Sequence, residues 1–391
     1  MNEVYLSRQP LVNRQRRIIG TRLLLHLAAG DGMPAAVMAL DSLASVWPAG
    51  GKPLFVGCPA AAIDARLLDW SAPENATIEL PAASLLGEHG PDLVAAIQTW
   101  QPSICLHFDP QAAPALSLGL QYRFIGFDTQ ALSNAQLKLL AVRTKTHGMG
   151  IAFQVPTTAD FHASMDAGVT AAAGWFFTSP SGIPAKALSA SQANIMRVLN
   201  LVRNNAEIRE IEAALKQDVA ISYKLLRYIN SAGFGLSCEI QSFRHAVTML
   251  GYDKLNRWLS LLLATASKDP MAPALMHTAL VRARLIELLA TGLVDKTEYD
   301  NLFITGAFSL LDALLGLGME QILEAMRLPE PISDALLGNG GRYQPFLDLA
   351  LASEANDGKA IAEQAAMLGL TATQFNSAQL QALAFADAME F

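Results

Sequence analysis

Through the first half of the chain, short runs of core-type residues alternate with stretches that are apolar at helical spacing. The runs EVYLSR, RIIGTRLLL, PLFVG, TIEL, SICLHF, YRFIGF, GIAFQV and GWFFT read as strands. Between most of them lie stretches such as AAVMALDSLASVW, PDLVAAIQTW and SNAQLKLLAVRTK, which read as helices. Eight strands with intervening helices predict a (β/α) barrel. Such a barrel ordinarily takes about 250 residues. Here the strands finish by Thr178, so some helices are expected to be short or missing.

The rhythm changes at FTSPSGIPAKALSASQ, where Pro180, Gly182 and Pro184 mark a linker. Beyond it only helical periodicity remains, in SQANIMRVLNLVRNN, EIREIEAALKQ, AISYKLLRYINSA, SFRHAVTMLG, DKLNRWLSLLLATAS and ALMHTALVRARLIELLATGL. Gly233 and Gly251 fall where helices should end. The expected fold is therefore α/β plus all-α: a shortened barrel over residues 1–182, a linker over 183–188, and an all-helical domain over 186–391.

Composition narrows the function classes. Hydrophobic residues make up 52% of the 391 and charged residues only 16%, against a typical ~25% charged. That suits a large core and leaves apolar surface for a partner. The net charge is −7 and Lys and Arg form no run, so a nucleic-acid partner is not expected. Cys58, Cys105 and Cys238 are far apart and form no C-x-x-C, which suits reduced thiols. The opening MNEVYLSRQPL has no apolar core of signal-peptide type. The most apolar stretch, NLFITGAFSLLDALLGLGM, is interrupted by Asp312 and reads as a core helix. A cytoplasmic protein without a membrane span is expected.

One strand poses a chemical question. GTRLLLHL places Arg22 among four leucines, with His26 near its end. The surrounding SRQPLVNRQRRIIGTRLLL, with Gln9 and Pro10, resembles the opening of EAL domains, the cyclic di-GMP phosphodiesterases, and in particular of bacterial EAL–HDOD signalling proteins. The helical half resembles the HDOD family, the HD-related output domain. The matching block is KQDVAISYKLLRYINSAGFGLSCEIQSFRHAVTMLGYDKLNRW, with Asp218, Asn230, Ser231, Ser242 and Gly251 in order.

The EAL resemblance implies two divalent cations held by carboxylates at the carboxyl ends of the strands. Carried over position by position, its site residues fall on other residue types. The glutamate of E-x-L falls on Arg22 and the asparagine of F-x-N on Gly57. In TIELPA, Glu79 matches an upstream glutamate while the ligand glutamate falls on Ala82. The paired aspartates of D-D-F fall on His107 and Phe108, and the catalytic lysine on Gly126, although Asp128 remains. The glutamates of A-E-x-V-E fall on Phe153 and Pro156, and the glutamine of Q-G-Y-F-F on Ala173. In the helical half the only histidines are His245 and His277, and no His-Asp dipeptide of the HD-hydrolase kind occurs.

These substitutions lead to the expectation of a degenerate EAL-like barrel with no cofactor and no catalysis. The HDOD-like domain would then act in signal transduction by binding a regulatory protein partner, and a homodimer is among the expected assemblies. The alternatives are a nucleotide receptor that does not hydrolyse and, more remotely, a cyclic di-GMP phosphodiesterase. Locally, Arg22 should pair with a carboxylate, Asp128 and Glu79 being the first candidates. His26, His107 and His147 should be hydrogen-bonded histidines, and Asp128 should cap the next segment or pair with Arg22. Trp175, Phe176 and Phe177 should pack into a core, and Asn230 and Ser231 should satisfy a helix end.

Overall fold

The computed structural model describes residues 3–28, 31–59, 63–178, 190–216, 245, 251–252, 254–256, 259–260, 269–326 and 328–389. Its eight strands follow one another round a closed barrel: β1 (Tyr5–Asn13), β2 (Ile18–His26), β3 (Leu54–Gly57), β4 (Ala76–Pro81), β5 (Ile104–His107), β6 (Phe124–Asp128), β7 (Met149–Phe153) and β8 (Ala171–Ala173). Strands β2 to β8 are parallel, while β1 runs antiparallel to both of its neighbours. This departs from an all-parallel (β/α) barrel because the first two strands form a hairpin.

The last strand also lies elsewhere than the hydrophobic pattern suggested. GWFFT follows the barrel, and the strand is Ala171–Ala173. Alanine is a weak strand former, so pairing decides: Ala173 sits opposite Leu11 of β1, and Ala172 opposite Ala152 of β7. Small residues suit the place because Phe55, Phe124 and Phe153 already fill the interior beside them.

Helices Met33–Ser42, Gly90–Trp100, Asn134–Thr144 and Thr158–Ala167 cover the outside, with 3₁₀ turns at Ala65–Asp69 and Pro110–Ser117 where further helices would stand. The shortened layer leaves a gap at β1. Strand β8 pairs with β1 only from Leu11 to Asn13, so the earlier part of β1 has one free edge. An uncovered edge is a liability.

The end of the chain covers it. Residues Leu351–Gln381 belong to the same unit as Met1–Phe176, while Phe177–Ala350 and Ala382–Phe391 form the second unit. The expected helical domain 186–391 is thus divided. Asn376 accepts from the Leu6 amide at 3.0 Å and donates to the Val4 carbonyl at 2.8 Å. Gln379 donates to the Leu6 carbonyl, and the Arg8 amide donates to the Ser353 carbonyl. Arg8, only 2% exposed, donates to Ser353 Oγ, Gln379 Oε1 and Glu354 Oε1.

The second unit is helical. Its central helix, Ala272–Leu289, is buried on nearly every face and packs on Tyr299–Phe308, where Gly306 lets the two backbones approach: a Cβ there would lie 2.5 Å from Ala283 Cα. Among the described residues no helix is long and apolar enough to cross a membrane.

Candidate functional site at the barrel mouth

Barrels of parallel strands gather their functional side chains at the carboxyl ends of the strands. Here those ends surround a cavity of about 340 Å³ lined by Arg22, Ala82, His107, Phe108, Asp109, Gly126, Asp128, Phe153 and Gln154, among others. Seven of the positions singled out from the sequence therefore come together.

Arg22 lies mid-strand in β2, opposite Gln9 of β1. Its Nε and Nη2 donate to the two carboxylate oxygens of Glu79 at 2.6 and 2.8 Å, and its Nη1 donates to Gln9 Oε1 at 2.7 Å. Two parallel bonds of this kind are the strong geometry for an arginine–carboxylate pair. The pair spans β3, whose inward position is Gly57. A Cβ on Gly57 would lie 2.8 Å from Glu79 Oε2 and 2.7 Å from Leu24, so a side chain there would push the carboxylate or Leu24 aside.

His107 Nε2 meets Glu79 Oε2 at 3.0 Å. Its ring stacks on Phe153 with centroids 4.6 Å apart, and the Arg22 guanidinium lies 4.1 Å from the same Phe153 ring. The Phe153 ring in turn needs Gly126, where a Cβ would come within 2.2 Å of it. Arg22, Gly57, Glu79, His107, Gly126 and Phe153 thus form one interlocked cluster.

Charge follows the geometry. Burial pushes the Glu79 carboxyl up, but Arg22 and His107 outweigh it with charge and hydrogen bonds and hold it down at about 2. Glu79 is an anion at neutral pH, and Arg22 is its counter-charge. Of the two candidate partners for Arg22, the structure selects Glu79. Asp128 instead accepts from the Gln130 amide at 2.9 Å, capping the following turn.

Elsewhere, His26 Nε2 meets Ser7 Oγ at 2.9 Å, and His147 Nδ1 contacts Thr146 Oγ1. Phe176 stacks on Phe161, and Phe177 is buried. Pro156 is exposed beyond β7, Ala173 sits inside the barrel in β8, and Pro10 pairs with Thr21 in the β1–β2 ladder. Burial and the nearby Glu79 push the Cys58 thiol up to about 12, and Cys105 is raised as well, so both are neutral thiols. Asp218, Asn230, Ser231 and Ser242 lie outside the described residues. Gly251 takes a φ of 75°, the left-handed conformation that suits a helix end.

Two mouth residues escaped the sequence reading. Gln154 lines the cavity with a φ of 57°, a conformation that costs a non-glycine residue energy and recurs at functional sites. Asp109 caps the turn after β5 through the Gln111 amide. Neither carries a sequence signal beyond its place after a strand.

The donor set does not fit the two divalent cations that an EAL resemblance implies. Both oxygens of Glu79 are committed to Arg22, and one also to His107. Arg22 itself would repel a cation at that point. Among the described residues no three His, Cys, Asp or Glu side chains are placed to hold a metal ion.

Comparison with known proteins adds four findings. Residues 187–322 match the HDOD domain. The cyclic di-GMP phosphodiesterase CdgJ of Vibrio cholerae is 27% identical over 390 aligned residues, covering 94% of this chain and 89% of its own. The uncharacterized protein YuxH of Bacillus subtilis is 25% identical, covering 90% of this chain and 91% of its own. Among solved structures, the FimX EAL domain of Pseudomonas aeruginosa bound to c-di-GMP aligns over 45% of this chain and 90% of its own, at 19% identity and a TM-score of 0.36.

The expectation of a chain that is not an enzyme is corrected by the first of these relatives, which is named for phosphodiesterase activity. Replacement of a known set of metal ligands argues only about that set. It does not exclude other groups at the same mouth.

Proposed function

We propose, from the premise that this chain joins an EAL-like barrel to a HDOD domain, that it acts in cyclic di-GMP signalling and meets the dinucleotide at the barrel mouth. The observation that carries this reading is the ionic cavity at the carboxyl ends of the strands, with Arg22 and His107 in its wall and Asp128 and Gln154 lining it.

The chemistry supports a phosphodiester ligand. His107 is oriented by Glu79 through Nε2, and its Nδ1 makes no hydrogen bond among the described residues. A carboxylate-oriented imidazole with one free nitrogen can donate to a phosphate oxygen when protonated and accept a proton from water when neutral. Asp128 offers carboxylate oxygens to the N–H groups of a guanine edge. Phosphodiester hydrolysis, the activity in the name of the Vibrio relative, is the reaction to look for, with His107 as the group able to carry the proton. The regulatory output is proposed to be a protein contact made by the HDOD domain.

The test is calorimetric titration of the full-length chain with cyclic di-GMP, alongside chromatographic detection of its hydrolysis products with Mg²⁺, with Mn²⁺ and with EDTA. Binding that weakens at least tenfold in His107→Ala is expected. Absence of both heat and product in all three conditions overturns the reading.

A further inference from the structure

A second cavity, wholly within the helical unit, holds a cation that no described acidic side chain answers. It measures about 360 Å³ and is lined by Arg203, Asn204, Asn205, Tyr252, Asn256 and Asn301, with Pro329 and Ile332 in its wall. Its size falls in the range of small-molecule sites. Five of the six polar residues named present an amide or a guanidinium.

Arg203 ends the helix Ala190–Arg203. Its Nε donates to Asn256 Oδ1 at 2.8 Å, and its guanidinium lies 5.8 Å from the Phe308 ring. Its Nη1 and Nη2 are buried and make no hydrogen bond. Among the described residues no carboxylate answers the charge, and burial pushes the Arg203 pKa down to about 10. The last turn of a helix favours a cation through its free carbonyls, but that position uses none of the Nη hydrogens here.

A buried cation is normally paired, and leaving its donors empty is costly. The surroundings are donor-rich as well. The exposed side chains of Asn204 and Asn205 make no hydrogen bond among the described residues, and Asn256 has spent only its oxygen. Asn205 has a φ of 50°, the left-handed conformation with which an asparagine closes the end of the helix, its amide donating to the Val202 carbonyl. Tyr252 spends its hydroxyl hydrogen on the Ala206 carbonyl, which leaves its oxygen as an acceptor. Two parallel guanidinium N–H groups match an oxyanion, carboxylate or phosphate.

We propose that this cavity is a binding site for a small oxyanion-bearing molecule, seated by Arg203 Nη1 and Nη2 and by the surrounding asparagine amides. The site is separate from the barrel mouth and stands whether or not the mouth takes a dinucleotide. Its ligand would bias the helical unit from within.

Thermal unfolding of the full-length chain tests this, with inorganic phosphate in one series, acetate in a second and chloride at matched ionic strength as reference. The transition should rise with phosphate, with acetate or with both, and the responding series identifies the oxyanion. Arg203→Met should abolish the response without lowering the ligand-free transition. Asn256→Asp, which places a carboxylate where Arg203 Nε already bonds, should also abolish it and should raise the ligand-free transition. That second variant decides the matter even if Arg203→Met does not fold. No response to either anion in the wild type overturns the proposal. So does a response kept by Asn256→Asp, or one lost only on changing Arg22.

Discussion

Arg22 in the barrel unit and Arg203 in the helical unit are both withdrawn from water, and their surroundings are opposite. Arg22 donates through Nε and Nη2 to Glu79 and through Nη1 to Gln9, with Phe153 against its face. Arg203 has one hydrogen bond, to Asn256, and two empty nitrogens. In the barrel the cost of desolvating a cation is offset by residues of the same chain, so the ion pair belongs to the fold. In the helical unit no described residue offsets that cost, which is the ground for the oxyanion proposed there. Arg8 belongs with Arg22: it too is fully buried and bound to Glu354, Ser353 and Gln379.

The comparison can be broken most forcefully through Arg8. A chain ending at residue 350 loses Glu354, Asn376 and Gln379, exposing the free edge of β1 and stranding a buried cation. The cooperative thermal transition of the barrel unit should disappear, by circular dichroism and by protease sensitivity. A barrel that still melts cooperatively would mean that residues 351–381 only decorate it.

Next comes the mouth. Glu79→Gln leaves Arg22 without a counter-charge and should cost ~3–5 kcal/mol in urea unfolding. A loss below about 1 kcal/mol would make Arg22 resemble Arg203 after all. Acid tests the same pair without mutation. The Glu79 carboxyl titrates at about 2 in the folded protein against an ordinary 4.5. Its contribution is fully present above pH 4.5 and is lost as the pH falls toward 2, by ~3 kcal/mol at about 1.4 kcal/mol per pH unit. Glu79→Gln should flatten that part of the stability curve. Smaller still, Gly126→Ala pushes the Phe153 ring aside and should cost ~1–3 kcal/mol as an overpacked site. It should also weaken cyclic di-GMP binding if His107 needs its stacking partner. At the far end lies Arg203→Met, for which no loss of stability is expected, because an unpaired charge is being removed.

Much of the mouth was legible in the sequence because strand positions of one parity face inward. Aligning the chain with the EAL pattern puts Arg22, Glu79, His107, Gly126 and Phe153 at its inward positions, whatever residue types stand there, and so also predicts that they meet. Residue type misleads where it stands for function: missing ligands predict no catalysis, yet the Vibrio relative is named a phosphodiesterase. The geometry shows why the replaced positions belong together. Gly57 makes room for Glu79, and Gly126 makes room for Phe153.

Local rules of spacing determined the first seven strands, the helical character of the second half and the inward set at the mouth, since hydrophobic period depends only on near neighbours in the chain. The tertiary structure alone decided four things. It placed the last strand on three alanines, by pairing. It chose Glu79 over Asp128 for Arg22, across a glycine. It brought residues 351–381 back to close the edge of β1, through contacts some 345 to 373 positions apart. It left Arg203 unanswered in its cavity. Each depends on which groups meet after the chain has folded back on itself, and periodicity holds no record of such distant meetings.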